Sequence, residues 1–377
     1  MKNVLFCLVI LTASVLVQPA GALGVDKPDP TKVALSEFDQ ANRDWIDQHA
    51  EVFEDADAVV LFDRIRTTYK DDGSAVTTEE ILIHFRKASA AAQYRALSYD
   101  FNPRTAHIRF LDARIYREDT SRIDVLPMSD VFTVKAPAEM IYWNFDAVIC
   151  PVPAIENGDA LYYRIERRGL NLAYLADETP PEPPAWDRDY VPPQPGYFMD
   201  TLYFDHEFPT VEKTYDLRGP RSKPLQFATG NGTIECSLKF SGDEILYRFA
   251  AKNRPGFTEE PFSPGFSISA LKLAVASHPS WEMKSQWAFE HNEPQFVISD
   301  EMRREVESII AGAKDDTDKM ARLLHWVAEE IRYLGLDMGE GEGHMVHRTD
   351  DIFRERAGVC KDKAAILVSM LRAAGFD

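Results

Sequence analysis

Apolar and polar residues change their period along the chain. Within the polar stretch 23–57, Leu35, Phe38, Ile46 and Phe53 are spaced loosely for a helix over 31–54. From Ala58 the period shortens. Val59, Leu61, Arg64, Ile65 and Thr67 lie in a β-type run, Asp72-Gly73 follows, and Ile81, Leu82, Ile83 and Phe85 form a second run. Asp-Gly between two such runs predicts a hairpin. The same grammar places Asn157-Gly158 between Val148–Val152 and Leu161–Ile165, and Ser241-Gly242-Asp243 between Ile234–Phe240 and Ile245–Phe249. Leu161, Tyr163 and Ile165 are expected to share one face, because strand side chains alternate. These patterns predict an antiparallel β-sandwich-like region over 58–290. Prolines at 180, 181, 183, 184, 192, 193 and 195 mark a break near 179–195, since proline does not serve a central strand. Asn231-Gly232-Thr233 reads as a turn.

Past residue 296 the period becomes helical. Ser299 is an expected N-cap for a helix with the stripe Val306, Ile309 and Ile310. A second helix starts near Thr317, with Met320, Leu323, Leu324, Val327 and Ile331 on one face. A third runs from Gly358 to Ala374, with Ala364, Leu367, Leu371 and Ala374 as its apolar face and Gly375 as its C-cap. The expected fold class is α+β, a β-sandwich-like region followed by a helical segment over 296–377.

Charge and the N-terminus narrow the setting. The 377 residues carry a formal charge of -19, which disfavours nucleic acid and anionic lipid as partners. Lys2, the apolar run Val4–Val17 and Ala20-Gly21-Ala22 read as a secretory signal over 1–22, giving a mature start at Leu23. The run is short for a bilayer span of ~20 residues, so no stable membrane insertion is expected after cleavage. The protein is then exported, periplasmic or extracellular. Cys7 lies within the apolar run, which leaves Cys150, Cys236 and Cys360. Cys150 and Cys236 sit in strand-like segments; pairing is open, and two buried free thiols are the favoured reading.

The candidate chemistry lies in Ala357-Gly358-Val359-Cys360-Lys361-Asp362-Lys363-Ala364. A cysteine that opens a helix faces unpaired N–H groups and the positive end of the dipole. Such a position favours the thiolate, the attacking species. Lys361 and Lys363 push the same way, while Asp362 pushes back or satisfies first-turn N–H groups. From position alone, a small core residue is the commoner explanation for such a cysteine.

The wider pattern changes that balance. Trp326, then Ile331-Arg332-Tyr333-Leu334-Gly335-Leu336, a Gly-rich acidic loop, His344 and His347, and Gly358-Val359-Cys360-Lys361-Asp362-Lys363 resemble the bacterial transglutaminase-like family of papain-like cysteine enzymes. Residues 55–290 resemble the β-rich domain of unknown function that often precedes it, with Met140-Ile141-Tyr142, Phe208-Pro209 and Ser280-Trp281 among the fitting features. The resemblance implies acyl transfer or hydrolysis of a protein or peptide amide through a thioester, with Cys360 as nucleophile; no cofactor is expected, and no metal either, because no His/Cys/Asp cluster has ligand spacing. Tyr333, Gly358 and Asp362 are candidate supports of that site. The family carries its His and Asp on strands after the Cys helix, and the sequence ends at Gly375-Phe376-Asp377, so the chain as given is expected to be truncated and inactive, with Leu367 and Leu371 partly exposed. His344 and His347 are expected to line the groove or face solvent, and His325 to pack beside Trp326. His84, His107, His206 and His278 show no ligand spacing. Gly339–Gly343 lacks the strand and helix of a phosphate loop and reads as a flexible loop by the cleft. The alternative is a non-enzymatic β-rich binding module or pseudoenzyme.

Overall fold

The structure is a computed structural model that describes residues 35–101, 103, 106–118, 122–135, 146–169, 196–278, 280–334 and 344–376. The signal, the proline-rich break, Met140-Ile141-Tyr142 and Gly339–Gly343 lie outside these residues. Two compact units divide between Ala41 and Asn42. In the first, the Ser36 hydroxyl accepts the Asp39 N–H at 3.1 Å, the capping arrangement that opens helix α1, Glu37–Gln48.

The second unit holds the strands. In chain order they are β1 (Ala58–Tyr69), β2 (Ala75–Phe85), β3 (Ala96–Phe101), β4 (Ala106–Tyr116), β5 (Ile123–Val125), β6 (Phe132–Val134), β7 (Asp146–Pro151) and β8 (Ala160–Gly169). There follow β9 (Met199–Tyr203), β10 (Thr210–Pro220), β11 (Gln226–Gly230), β12 (Glu235–Ser241), β13 (Glu244–Arg254), the short helix α2 (Phe266–Ser269) and β14 (Lys272–Ala276). Eight strands form one sheet in the order β12-β13-β10-β1-β2-β8-β4-β5, and two three-stranded sheets have the orders β3-β7-β6 and β11-β14-β9. Every described pairing in these three sheets is antiparallel except β1 with β10.

Both small sheets are packed against the large one. Ile83, Phe110, Ile115, Leu161, Tyr163 and Ile165 meet Leu97, Val148 and Cys150 in one core. Tyr69, Tyr215, Leu217, Tyr247 and Phe249 meet Leu202, Leu273 and Val275 in a second. Leu161, Tyr163 and Ile165 thus share a face, as their alternation predicts, while Tyr162 joins a core on the opposite face with Ile46, Leu61, Phe62 and Val211.

β1 contains a bulge. Val60 pairs with Ile83 and Phe62 with Leu82, so Leu61 is the extra residue. Before it, Ala58 and Val60 point toward the small sheets. Beyond it, the odd-numbered Ile65 and Tyr69 do, and Asp63 joins that face. β10 slips as well, because Val211 and Tyr215 have the same parity but belong to cores on opposite faces. Past the slip the outer face is charged, with ion pairs Arg66–Glu80 at 3.0 Å, Lys252–Glu212 at 3.6 Å and Arg64–Glu212 at 3.9 Å.

Two of the expected hairpins form, β1–β2 and β12–β13, with Gly73 at φ 84° and Gly242 at φ 60° in their turns. The third does not. β7 pairs with β3 and β6, whereas β8 pairs with β2 and β4. Asn157-Gly158 is a turn, but it carries the chain from one layer to the other. Its geometry is held by Gly158 N–H donating to the Phe85 carbonyl at 2.7 Å. Cys150 and Cys236 are both free; Cys150 is buried as expected, but Cys236 is exposed on β12. Burial pushes the Cys150 thiol up to about 11.

The helical segment begins earlier than its periodicity suggests. Helix α3 (Trp281–Asn292) spreads its apolar residues around the axis and buries none fully, so it shows no stripe in the sequence. Then come α4 (Asp300–Ile310), capped by Ser299 at 3.2 Å, and α5 (Asp316–Glu330), capped by Asp315 at 2.8 Å. A two-residue parallel pair joins β15 (Arg332–Tyr333) to β16 (Ala357–Gly358), with α6 (Thr349–Glu355) between them and α7 (Cys360–Ala373) after. Met302, Val306, Leu323, Val327, Ile331, Ile352, Phe353, Ile366 and Met370 form their core.

The expected apolar face of α7 needs correction. Ala365, Ile366, Ser369 and Met370 are buried, Leu367 and Leu371 only half-buried, and Ala364 is exposed. Leu367, Leu371 and Ala374 pack at the margin of the same core, whose centre takes Ile366 and Met370. Among the described residues no helix is long and apolar enough to cross a membrane.

Candidate functional site

Cys360 is the first residue of α7, and its side chain is exposed. Three local devices hold that position. The first is the β15–β16 pair, in which Arg332 N–H donates to the Arg356 carbonyl at 2.9 Å and Leu334 N–H to the Gly358 carbonyl at 3.1 Å. This ties the end of α5 to the start of α7. The second is the close approach of Gly358 to the helix: a Cβ there would lie 2.7 Å from the Asp362 Cβ.

The third device is Asp362 itself, only 1% exposed. One carboxylate oxygen accepts the Val359 N–H at 3.0 Å and the His347 Nδ1–H at 2.9 Å. The other accepts the His347 backbone N–H at 3.0 Å. An ionised carboxylate only accepts, so Nδ1 carries the proton. Burial pushes Asp362 up, but the His347 and Val359 hydrogen bonds outweigh it and hold the carboxyl below its usual range.

The lysines play different parts from those expected. Lys363 extends to the C-terminus of α5, donating to the Ala328 carbonyl at 3.3 Å and the Ile331 carbonyl at 2.6 Å. There it satisfies orphan carbonyls. The charge of Lys361, with that of Lys284 and behind the larger effect of burial, lowers the His344 pKa.

Of the sequence-predicted supports, Gly358 and Asp362 adjoin Cys360, and Tyr333 is 56% exposed beside Gly358 in the β15–β16 pair. Trp326 packs instead. It stacks on Phe353 at 5.8 Å, donates to Glu305 at 3.1 Å and lies under the Arg356 guanidinium at 4.4 Å. The His347–Asp362 pair is what sequence reasoning missed. His347 stands in a loop 15 residues before Asp362, and no periodicity links a loop residue to a helix turn. Among the described residues no group of three or more His, Cys, Asp or Glu is arranged to hold a metal. The arrangement thus presents an accessible thiol at a helix start, with an imidazole oriented by a buried carboxylate anchored to the same turn.

The family models match in the same order as the structure. Residues 71–258 match DUF3857, a domain of unknown function with a solved structure, and residues 303–377 match the transglutaminase-like superfamily. No curated protein matches the sequence. Among solved structures, a "putative protease" from Parabacteroides distasonis ATCC 8503 is similar with a TM-score of 0.63 at 15% identity, over 85% of this chain and 59% of that one. At that identity the likeness concerns the fold, and this chain spans about three fifths of that protein's length. The M1 zinc metallopeptidase from Deinococcus radiodurans, at 13% identity over 58% of this chain and 42% of its own, reaches a TM-score of 0.29. The β-rich residues 71–258 thus match DUF3857 and the helical residues 303–377 match the transglutaminase-like superfamily, and Cys360 lies within the second match.

Proposed function

We propose that the protein is an exported cysteine enzyme of amide acyl transfer, with Cys360 as its nucleophile. The observation that carries this reading is the exposed thiol at the first position of α7, inside the transglutaminase-like segment. In the reaction the Cys360 sulfur bonds to the carbonyl carbon of a peptide or side-chain amide, and the C–N bond breaks. The thiol proton passes to the departing amine by way of the histidine base that the family carries on a strand after the Cys helix. Water or a second amine then attacks the thioester and regenerates the thiol. Asp362 acts here as a positioning residue, because it fixes Val359, His347 and the helix start together.

Alkylation tests this reading without a known substrate. Both Cys360 and Cys236 are exposed, and Cys150 is buried. Iodoacetamide at pH 7.5, followed by peptide mass spectrometry, is expected to modify Cys360 roughly tenfold faster than Cys236, as an activated thiol does relative to a merely accessible one, and Cys150 last. Equal rates at Cys360 and Cys236 would remove the case for a nucleophile.

Export is part of the same proposal and rests on Lys2, the apolar run Val4–Val17 and Ala20-Gly21-Ala22. Protein recovered from outside the bacterial inner membrane is expected to begin at Leu23 on N-terminal sequencing. A product that keeps residues 1–22 and stays in the cytoplasm would contradict it.

A further inference from the structure

A cavity of about 630 Å³ opens on the β region, within the range of small-molecule sites. Its floor comes from the large sheet. Glu79 of β2 and Lys213 of β10 line it, and Lys213 pairs with Asp63 of β1. Asp63 is 5% exposed, and its Oδ1 has no hydrogen-bond partner. The bulge in β1 and the slip in β10 bring Asp63 and Lys213 onto this face, where the alternation of β2 already places Glu79. One wall is aromatic: Tyr203 and Phe257 each pack on Phe266 with ring centroids 5.1 Å apart.

The charges in this cavity do not balance. Lys213 is matched by Asp63, and Asp205 by Arg254 at 2.7 Å. The His206 Nδ1 accepts the Phe208 N–H at 3.0 Å, and burial lowers the pKa of that imidazole, so it adds no positive charge at neutral pH. Glu79, Glu207 and Glu259 remain, and among the described residues none of the three has a lysine or arginine in ion-pair contact. Glu207 accepts only from neutral donors, Gln93 and Tyr94. Burial, with the nearby Asp63 charge, pushes Glu79 up to about 7 against the opposing pull of Lys213.

We propose that this cavity binds an organic primary ammonium carried beside an aromatic or aliphatic group, such as the amino terminus of a peptide. Glu79 receives the ammonium, Glu207 and Glu259 attract it, and Tyr203, Phe257 and Phe266 pack against the apolar part. A metal ion is the wrong occupant, since no described His, Cys, Asp and Glu group has the geometry to hold one. The proposal does not depend on Cys360 chemistry. It gives the β-rich domain a ligand class of its own.

Isothermal titration of the full chain with phenylalaninamide tests this. The probe has a free ammonium beside a ring and no carboxylate. Saturable binding is expected, at least about tenfold tighter than for N-acetylphenylalaninamide, which lacks the charge. The groups facing Glu79 are Asp63, Lys213, Asp200, Tyr163 and Tyr99, and His206 and Glu207 line the same space. A bound ammonium therefore drives off the proton that Glu79 still shares near pH 7, and the measured heat is expected to differ between Tris and phosphate buffers. Glu79→Gln is expected to weaken binding about tenfold and abolish that buffer dependence. Glu259→Gln, at the cavity lining, is expected to weaken it a few-fold and carries the test should Glu79→Gln fail to fold. Equal affinity for the two probes, no binding of either, or unchanged affinity in the glutamine variants would overturn the proposal.

Discussion

Asp362→Ala is expected to lower the stability of the helical segment by about 3–5 kcal/mol, the scale for opening a buried charge-assisted network. The side chain is 1% exposed and accepts three N–H groups, from Val359, from His347 and from the His347 ring. Alanine leaves the Val359 donor buried without a partner and releases the loop that carries His347. Asparagine keeps one acceptor but turns its NH2 toward donors, so Asp362→Asn should lose about half as much. The folded carboxyl titrates below its usual range. Its contribution is therefore complete above the unfolded carboxyl value, near pH 4, and is lost as pH falls through the lower folded value. Urea unfolding followed by hydrogen exchange of the helices between residues 300 and 373, at pH 7 and at pH 3, measures both effects. A loss under 1 kcal/mol at pH 7 for Asp362→Ala would show that the network does not hold the helix start. The same variant should also slow Cys360 alkylation.

Lys213→Met is the second large expected effect, again about 3–5 kcal/mol, because it leaves a buried carboxylate unpaired. Asp63 is 7% exposed in its side chain and Lys213 14%. Burial pushes the lysine down, but Asp63 and Glu79 together outweigh it and keep the ammonium charged. Without it, Asp63 and Glu79 repel each other across adjacent strands. Glu79 already titrates at about 7, and loss of Lys213 moves it higher. A carboxyl raised on folding holds its proton longer in the native state, so stability falls as pH rises from the unfolded value through the folded one. Lys213→Met should therefore be most damaging at pH 8 and least at pH 5.5 in urea titrations. The double variant Lys213→Met/Asp63→Leu should recover much of the loss, since a matched apolar pair replaces a buried ion pair at little cost. A single variant that melts like the parent at pH 8 would show that water, not Asp63, carries the lysine's charge.

How far these features can be read from the sequence depends on how local they are. The β1–β2 and β12–β13 hairpins are written in short alternating runs around Asp72-Gly73 and Gly242, where the turn residue and its neighbours settle the pairing. Ser299 as a cap and the Leu323, Val327 and Ile331 stripe are equally local. β1 with β10 is a different matter. Their partners lie roughly 150 residues apart, as Val60 and Thr210 do, and nothing near either strand announces a parallel match. β7 and β8 carry the right turn between them, yet the apolar surface each must cover belongs to a different layer. α7 has more apolar residues than one face holds, and only its neighbours decide which are fully buried. At the candidate site, the motif around Cys360 marks the helix start and Gly358. It does not reveal that Asp362 reaches back to His347, or that Lys363 is committed to α5.

The shared slip of β1 and β10 bears on how this domain can change length over generations. Leu61 is one residue too many against β2, yet β10 follows β1 residue for residue through that point, Val60 with Thr210 and Phe62 with Glu212. Shortening β1 alone mends its match with β2 and spoils its match with β10. Shortening both by one keeps Asp63 and Lys213 side by side, but β13 follows β10 without a shift through the same point, Thr210 with Arg254 and Glu212 with Lys252. Descendants of this domain should accordingly gain or lose residues here in all three strands together.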